Sequence, residues 1–567
     1  MMSRRPPGTW FVIALFFAAA WPVSPLVADD LPARTALDRY VAQPDKSYSW
    51  KVLSSTTTKT LETVVIEMVS QTWRSKQEVD RPVWRHWLTV AIPRQRTKSS
   101  DGGSDIGLLW IGSGSNRGKA PDGTSANVRA IAEQTGTVAA ELRMVPNQPL
   151  VFHNDGQSRK EDDLIGYTWD QFLKTGDPTW PARNPMVKSA VRAMDTLTAL
   201  TRLEIGGGRE VKRFVVAGGS KRGWTTWITG AVDRRVVAII PIVIDVLNVD
   251  VSIRHHFAAY GFWAPSLGNY VEHRITERGD HPRMQSLYEL VDPYYYRHRL
   301  TMPKFIVNSA GDQFFLPDSS QFYFDELRGQ KNLRYVPNSN HSLGGSDAME
   351  SITAFYSLVL AGRATPSFGW EHERGGFVRV SVEDKPVEVR LWQATNPHAR
   401  DFRLESLGPK YTSEVLVADT NGEYTANISE PASGFTAYFV ELTYNTGGPV
   451  PLKLTTDVKV IPDVLPFKDK DSQLPSTITM QAVAADQATV DKLEAALKSP
   501  QLAAVAESIQ LFTGATGQSP SDFTVRVNWS PVGRFRPSLE AFGGLLRGLG
   551  CEKLTFWYES GPRKEKK

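Results

Sequence analysis

A series of short, mostly apolar runs, spaced by intervals long enough for a helix, constrains this chain more than any other feature. They are Ile106–Ile111, Thr137–Leu142, Arg213–Ala217, Val236–Val243, Lys304–Asn308 and Leu333–Pro337, with a helix predicted over Met186–Leu200. An unbroken apolar strand has no face to offer water, so it must be covered on both sides. Such strands alternating with helices predict a mostly parallel sheet with helices on both faces, an α/β core. Two further strand patterns, Val64–Met68 and Trp84–Ile92, precede the series and read as an antiparallel entry to the same sheet.

At 567 residues the chain exceeds what one core usually organises, and two or three domains are expected. Residues 29–365 read as the α/β domain. Its stretch 248–300 is an aromatic- and His-rich insertion containing His255, His256, Tyr260, Trp263 and Tyr294–Tyr296, which reads either as a cap over a site or as packing against the core. After a predicted helix Met349–Leu360 the periodicity changes to two. Strand patterns at Phe377–Ser381, Val387–Trp392, Ser413–Val417, Phe435–Leu442 and Val458–Val460 predict a small β-sandwich module over 370–465. A charged linker then leads to a small α+β segment over 476–560, with a helix at Ala485–Leu497 and a strand at Thr524–Trp529.

The N-terminus carries Arg4-Arg5, an apolar run Trp10–Trp21, then Pro22, Pro25 and Ala28 ahead of Asp29-Asp30. That order of basic, apolar and small residues predicts a signal peptide over 1–28 and export to the periplasm or beyond. The apolar run is short for a membrane span. A net charge of +4 does not point to nucleic acid or to a membrane surface as partner, and the basic tail Pro562–Lys567 reads as a solvated end. The single Cys551 permits no intrachain disulfide, and no nearby His would activate it as a nucleophile.

The strand Arg213–Ala217 runs into Gly218-Gly219-Ser220-Lys221-Arg222-Gly223 and then into an amphipathic helix start. A serine there sits on a tight turn that admits only small neighbours, ahead of a helix N-terminus that favours developing negative charge. Asp312 follows the strand Phe305–Asn308, and His341 lies in the loop Asn338–Leu343 after Leu333–Pro337. The order Ser, Asp, His, each at a strand's C-terminal end, predicts a nucleophile Ser220, a base His341 and an acid Asp312. Asp245 and Asp318 compete for the acid's place. The oxyanion hole is expected from the Lys221 backbone N–H and the loop containing Gly112 and Ser113. Lys221 and Arg222 invite either an anionic substrate group or an ion-pair partner, and Arg222 and Trp224 are candidates for substrate contact. Glu161-Asp162-Asp163 reads as an acidic helix start. No metal signature or phosphate-binding glycine motif appears, and no cofactor is predicted.

Several dispersed segments carry a resemblance: Glu161-Asp162 with Tyr167-Thr168-Trp169, Thr175–Trp180, Pro185–Lys188, Gly219–Trp224, Pro241–Asn248, Trp392–Asn396 and Arg400–Arg403. Together, over about residues 35–465, they resemble the PhoPQ-activated pathogenicity-related protein family. The resemblance implies an α/β-hydrolase domain followed by a β-rich module, usually exported, and a link to bacterial virulence or envelope stress. It implies no substrate and does not reach past about residue 470. Three functions follow as expectations: an esterase or amidase, a peptidase-like enzyme, or a non-catalytic binding protein on the same fold. Their substrates or ligands would be small molecules or peptides.

Overall fold

A computed structural model describes residues 34–94, 105–373 and 375–468, and from the C-terminal segment residues 477–483, 486–497, 508–513, 522–528, 548 and 551–559. The expected signal peptide lies outside the described residues.

The central sheet is built on β1 (Ser49–Thr57), β2 (Leu61–Thr72), β3 (Val83–Pro93), β4 (Ile106–Ile111), β5 (Ala139–Leu142), β6 (Arg213–Gly219), β7 (Val236–Ile242), β8 (Lys304–Ser309) and β9 (Lys331–Val336). Their spatial order is β1-β2-β3-β5-β4-β6-β7-β8-β9. The first strands pair antiparallel, and from β5 to β9 every neighbouring pair is parallel. Alternate residues of one strand enter opposite cores, which is why the sequence shows unbroken apolar runs. Phe214 and Val216 of β6 join the core beneath helices Arg183–Arg202 and Lys221–Val232, while Val215 and Ala217 join the core beneath Ala126–Thr135 and Ala348–Leu360. The predicted strands and helices appear within a few residues of their expected ends. Among the strands not predicted is β1, a Ser/Thr-rich and mostly exposed edge strand.

The strand order reverses between β4 and β6, so the carboxyl ends of these two strands flank a crevice of the kind where α/β proteins bind ligands. Ser220 stands at the end of β6.

The expectation of a self-contained β-sandwich over 370–465 is corrected. This region forms β10 (Phe368–Glu373), β11 (Phe377–Val382), β12 (Glu388–Asn396), β13 (Thr412–Val415), β14 (Tyr424–Asn427), β15 (Phe435–Tyr444), β16 (Leu452–Thr455) and β17 (Lys459–Ile461). Only β10, β11 and β14 form a sheet of their own. The others extend the central sheet through β9-β16-β15-β12-β13, with β17 also on β15, to make it 14-stranded. The join is antiparallel, at Thr455 opposite Leu333, reinforced by the Tyr335 N–H donating to Thr455 Oγ1 at 3.0 Å. Beside it, buried Arg334 of β9 pairs with Glu441 of β15 and with Asp347 at 2.9 Å. The small sheet packs Val378, Val380 and Ala426 into the same core that receives Val389, Leu391 and Val440 from the extension and Phe355 from the α/β domain. Two layers are present, but one of them is the central sheet itself.

In the C-terminal segment the described strands β18 (Thr477–Val483), β19 (Ser508–Thr513), β20 (Asp522–Asn528) and β21 (Glu552–Glu559) form a separate antiparallel sheet, with a helix Gln487–Leu497. Cys551 is a free, buried thiol. Among the described residues no helix is long and apolar enough to cross a membrane.

Candidate active site

Ser220 occupies a backbone conformation that few non-glycine residues adopt, φ +57° and ψ −124°. Such a turn stores about 1–3 kcal/mol and persists only where its surroundings enforce it. The enforcement is visible. The Ser220 N–H donates to the Ile242 carbonyl at 2.8 Å, and the Ser220 carbonyl accepts the Trp224 N–H at 2.9 Å, so the serine is clamped between β7 and its own helix. A Cβ on Gly218 would lie 2.8 Å from the Arg222 carbonyl, and one on Gly223 would lie 2.9 Å from the carbonyls of both Gly218 and Ile242. These contacts explain the departure from the usual spacing of small residues: the helix packs against the strand at Gly223, and Arg222 points elsewhere.

The destination of Arg222 corrects one expectation. Its guanidinium is buried, forms two hydrogen bonds to Glu161 at 2.8 and 2.6 Å, and donates from Nε to the Val145 carbonyl. It is committed to the loop after β5 and offers nothing to a substrate. Lys221 Nζ bonds Asp162 at 2.6 Å and lies 3.4 Å from Glu161. Burial opposes ionisation of Glu161, but Arg222, Lys221 and Gln148 outweigh it and hold the carboxyl down at about 2. Asp163 meets His273 at 2.8 Å. The acidic helix start is thus a set of ion-pair partners, and among the described residues no three His, Cys, Asp or Glu side chains are grouped to hold a metal ion.

Asp312, buried just past β8, accepts the Phe314 N–H on Oδ1 at 2.7 Å and faces His341 Nδ1 from Oδ2 at 2.8 Å. The two loops are stitched together. Ser309 Oγ donates to the Ser339 carbonyl at 2.7 Å, the His341 N–H donates to Gln313 Oε1 at 3.0 Å, and a Cβ on Gly311 would sit 2.6 Å from the Ser339 carbonyl. The segment after β12 braces them from behind. The Leu404 N–H donates to the Gly311 carbonyl at 2.9 Å, and Asn338 exchanges hydrogen bonds with the Tyr411 backbone at 2.8 and 2.9 Å. His341 Nε2 is buried and has no hydrogen-bond partner, so its bond to the Ser220 hydroxyl is not formed. Phe314 packs on the imidazole with ring centroids 4.4 Å apart.

The competing acids are engaged elsewhere. Asp318 accepts from Arg400 at 2.7 Å and meets His255 at 3.1 Å; burial opposes its ionisation, but Arg400 and His255 together hold its carboxyl well below the usual range. Asp245 accepts the hydroxyls of Tyr323 at 2.6 Å and Tyr335 at 2.5 Å. Burial pushes it up to about 7, with Asp312 and Asp318 adding to the shift against the two tyrosines. A carboxyl raised above its unfolded value stabilises the folded state at low pH, and that contribution is lost as pH rises through about 7. The melting temperature of Asp245→Asn relative to wild type is therefore expected to be higher at pH 8 than at pH 5. A difference that does not change with pH in paired thermal melts would contradict this.

The oxyanion expectation is half altered. Lys221 opens its helix, where backbone N–H groups have no partner within the helix. The Gly112 N–H, however, donates to the Leu142 carbonyl at 2.7 Å, because the β4–β5 ladder runs one residue past Ile111. Ser113 follows on the same loop, exposed.

A cavity of about 620 Å³ opens at Ser220 and Lys221 and is lined by Trp224 and Phe314 and by Trp263 and Tyr270 of the 248–300 insertion. The insertion's aromatics also pack on one another, His256 on Trp263 at 5.7 Å and Tyr260 on Phe262 at 5.3 Å. Some of the insertion's rings thus line the cavity while others pack among themselves. Sequence reasoning missed Arg183, at the start of its helix, which also lines this cavity; nothing local distinguishes it from an ordinary helix residue.

A family model described as PhoPQ-activated pathogenicity-related protein matches residues 37–403. Autocrine proliferation repressor protein A of Dictyostelium discoideum is 36% identical over 462 residues, 76% of this chain and 92% of that protein. Among solved structures, an acetyl xylan esterase from Paenibacillus sp. R4 is similar at 16% identity and a TM-score of 0.39, over 57% of this chain and 91% of the other. An acylaminoacyl peptidase from Pyrococcus horikoshii is similar at 12% identity and a TM-score of 0.32, over 57% and 50%.

Proposed function

Because this chain belongs to the PhoPQ-activated pathogenicity-related protein family, we propose that it is an exported serine hydrolase that transfers an acyl group to water. The observation that carries this reading is a serine held at φ +57° on a strand-to-helix turn, facing a cavity, with a buried Asp312 paired to a part-buried His341 on the loops after β8 and β9. In this reading Ser220 Oγ attacks the carbonyl of an ester or amide and His341 Nε2 takes its proton. Asp312 keeps the other imidazole proton on Nδ1 and stabilises the cation that forms. The oxyanion rests on the Lys221 N–H, and the second donor falls to Ser113 because the Gly112 N–H is engaged. His341 then gives the proton to the leaving group, and water repeats the sequence on the acyl-serine. Bonds of this kind often close only in the substrate complex, so the open Ser220–His341 contact is compatible with turnover.

That open contact also favours a second reading, a non-catalytic binding protein at the cell envelope, and the relative's name, an autocrine proliferation repressor, describes regulation rather than chemistry. Export rests on the pattern of residues 1–28, and the link to virulence or envelope stress rests on the family.

A fluorophosphonate probe separates the two. The secreted protein is expected to take up one phosphonyl group on Ser220 and to lose labelling in Ser220→Ala and His341→Ala. Peptide mapping of the same sample is expected to find the mature N-terminus at Asp29. A folded protein that takes no label favours the binding reading.

A further inference from the structure

Arg183 is 1% exposed, yet among the described residues it has no carboxylate within ion-pair distance. Its one hydrogen bond runs from Nη1 to the Lys221 carbonyl at 3.0 Å, which ties it to the residue beside the nucleophile. Nε is buried without a partner, and the guanidinium lies 4.1 Å over the Trp224 ring. A cation taken out of water without a counter-ion is costly, and an aromatic face returns only part of that cost. The neighbouring charges do not cancel it. Glu161 and Asp162 are already bonded to Arg222 and Lys221, which leaves three cations facing two carboxylates. Of the other carboxylates on the cavity wall, Asp250 pairs with Arg254, Glu277 with Arg274 and Asp245 with two tyrosine hydroxyls, while Asp280 is exposed to solvent.

We infer that Arg183 is the anchor of an anion subsite inside the Ser220 cavity, and that the substrate carries a carboxylate which this guanidinium binds. The inference rests on the serine hydrolase reading of the same cavity. A planar guanidinium suits a carboxylate, since its N–H groups match the two oxygens. The apolar remainder of the wall, with Trp169, Trp224 and Tyr270, would take the carbon skeleton of the same substrate. Arg183 is on this account a specificity residue and takes no part in proton transfer.

The test uses matched esters on the full-length mature protein: p-nitrophenyl monoadipate against p-nitrophenyl hexanoate, and 4-acetoxybenzoate against its neutral methyl ester. The first pair carries the carboxylate on the acyl side and the second on the leaving side, and rates are corrected for spontaneous hydrolysis. At least one anionic member is expected to be preferred by roughly 10- to 100-fold in kcat/KM, the range of a hydrogen bond to a charged group. In Arg183→Met the ratio should fall to about one, and in Arg183→Lys it should be intermediate, because the charge remains without the fork. Calorimetric titration with adipate reads the subsite without turnover. Binding to wild type that is lost in Arg183→Met supports the subsite even where no ester is cleaved and the hydrolase reading fails. Should Arg183→Met not fold, the wild-type ratios and Arg183→Lys decide alone. Ester turnover with no anionic preference in either pair and no adipate binding overturns the subsite and leaves the hydrolase reading standing.

Discussion

Asp312→Asn is expected to lower kcat on any ester the protein cleaves by on the order of 10⁴-fold without unfolding it. The size follows from how the carboxylate is held. Oδ1 accepts the Phe314 N–H at 2.7 Å and lies 3.4 Å from the Phe315 N–H, while Oδ2 faces His341 Nδ1. An amide in that place must keep its oxygen on the two backbone donors, which turns its NH₂ toward the imidazole. His341 Nδ1 then accepts rather than donates, its proton moves to Nε2, and the ring can no longer receive a proton from Ser220. The amide is nearly the same size and satisfies the same backbone donors, so stability should change little. Steady-state kinetics with a chromogenic ester, alongside a thermal melt, check both halves. A loss under tenfold with the fold intact would remove Asp312 from the triad.

The second large effect concerns the sheet. Glu441→Ala is expected to destabilise the folded protein by about 3–5 kcal/mol, because it strips the main counter-charge from Arg334, which is 1% exposed. Asp347 remains at 2.9 Å but is partly exposed and shared with Lys453. The double variant Arg334→Met with Glu441→Leu should recover most of the loss, since a buried ion pair replaced by apolar groups of similar volume is often neutral or better. Denaturant unfolding of wild type and the two variants measures this. A single-variant cost under about 1 kcal/mol would mean that the junction of β9 with β16 and β15 does not depend on this ion pair.

How much of this was legible depended on whether the cause was local. The strands from β4 to β9 were readable because burial on both faces leaves few polar positions in each run, Arg334 of β9 being one that is paired instead. The placement of Ser220, Asp312 and His341 just past strand ends was readable because each follows such a run. Arg222 misled because a cation beside a nucleophile looks free in one dimension; its partner Glu161 lies 61 residues away in sequence. Gly112 misled because the ladder to Leu142 runs one residue longer than the apolar run. The β-sandwich expectation failed at its boundary for the same reason. Period-two alternation identifies strands, but Thr455 opposite Leu333 is a pairing across more than a hundred residues that no local pattern encodes. Arg183 was invisible because an unpaired buried charge is defined by what is missing around it.

The bracing of the Asp312 and His341 loops by residues 404–411 bears on when the molecule can begin to work. A growing chain that has reached residue 365 already contains Ser220, Asp312 and His341, but lacks the Leu404 and Tyr411 contacts and leaves β9 as an open strand edge. Such an edge is a template for wrong partners until β16 closes it. Under the proposed mechanism the three groups are therefore made early and assembled late, and a chain that crossed a membrane before folding would stay silent until its second half had followed.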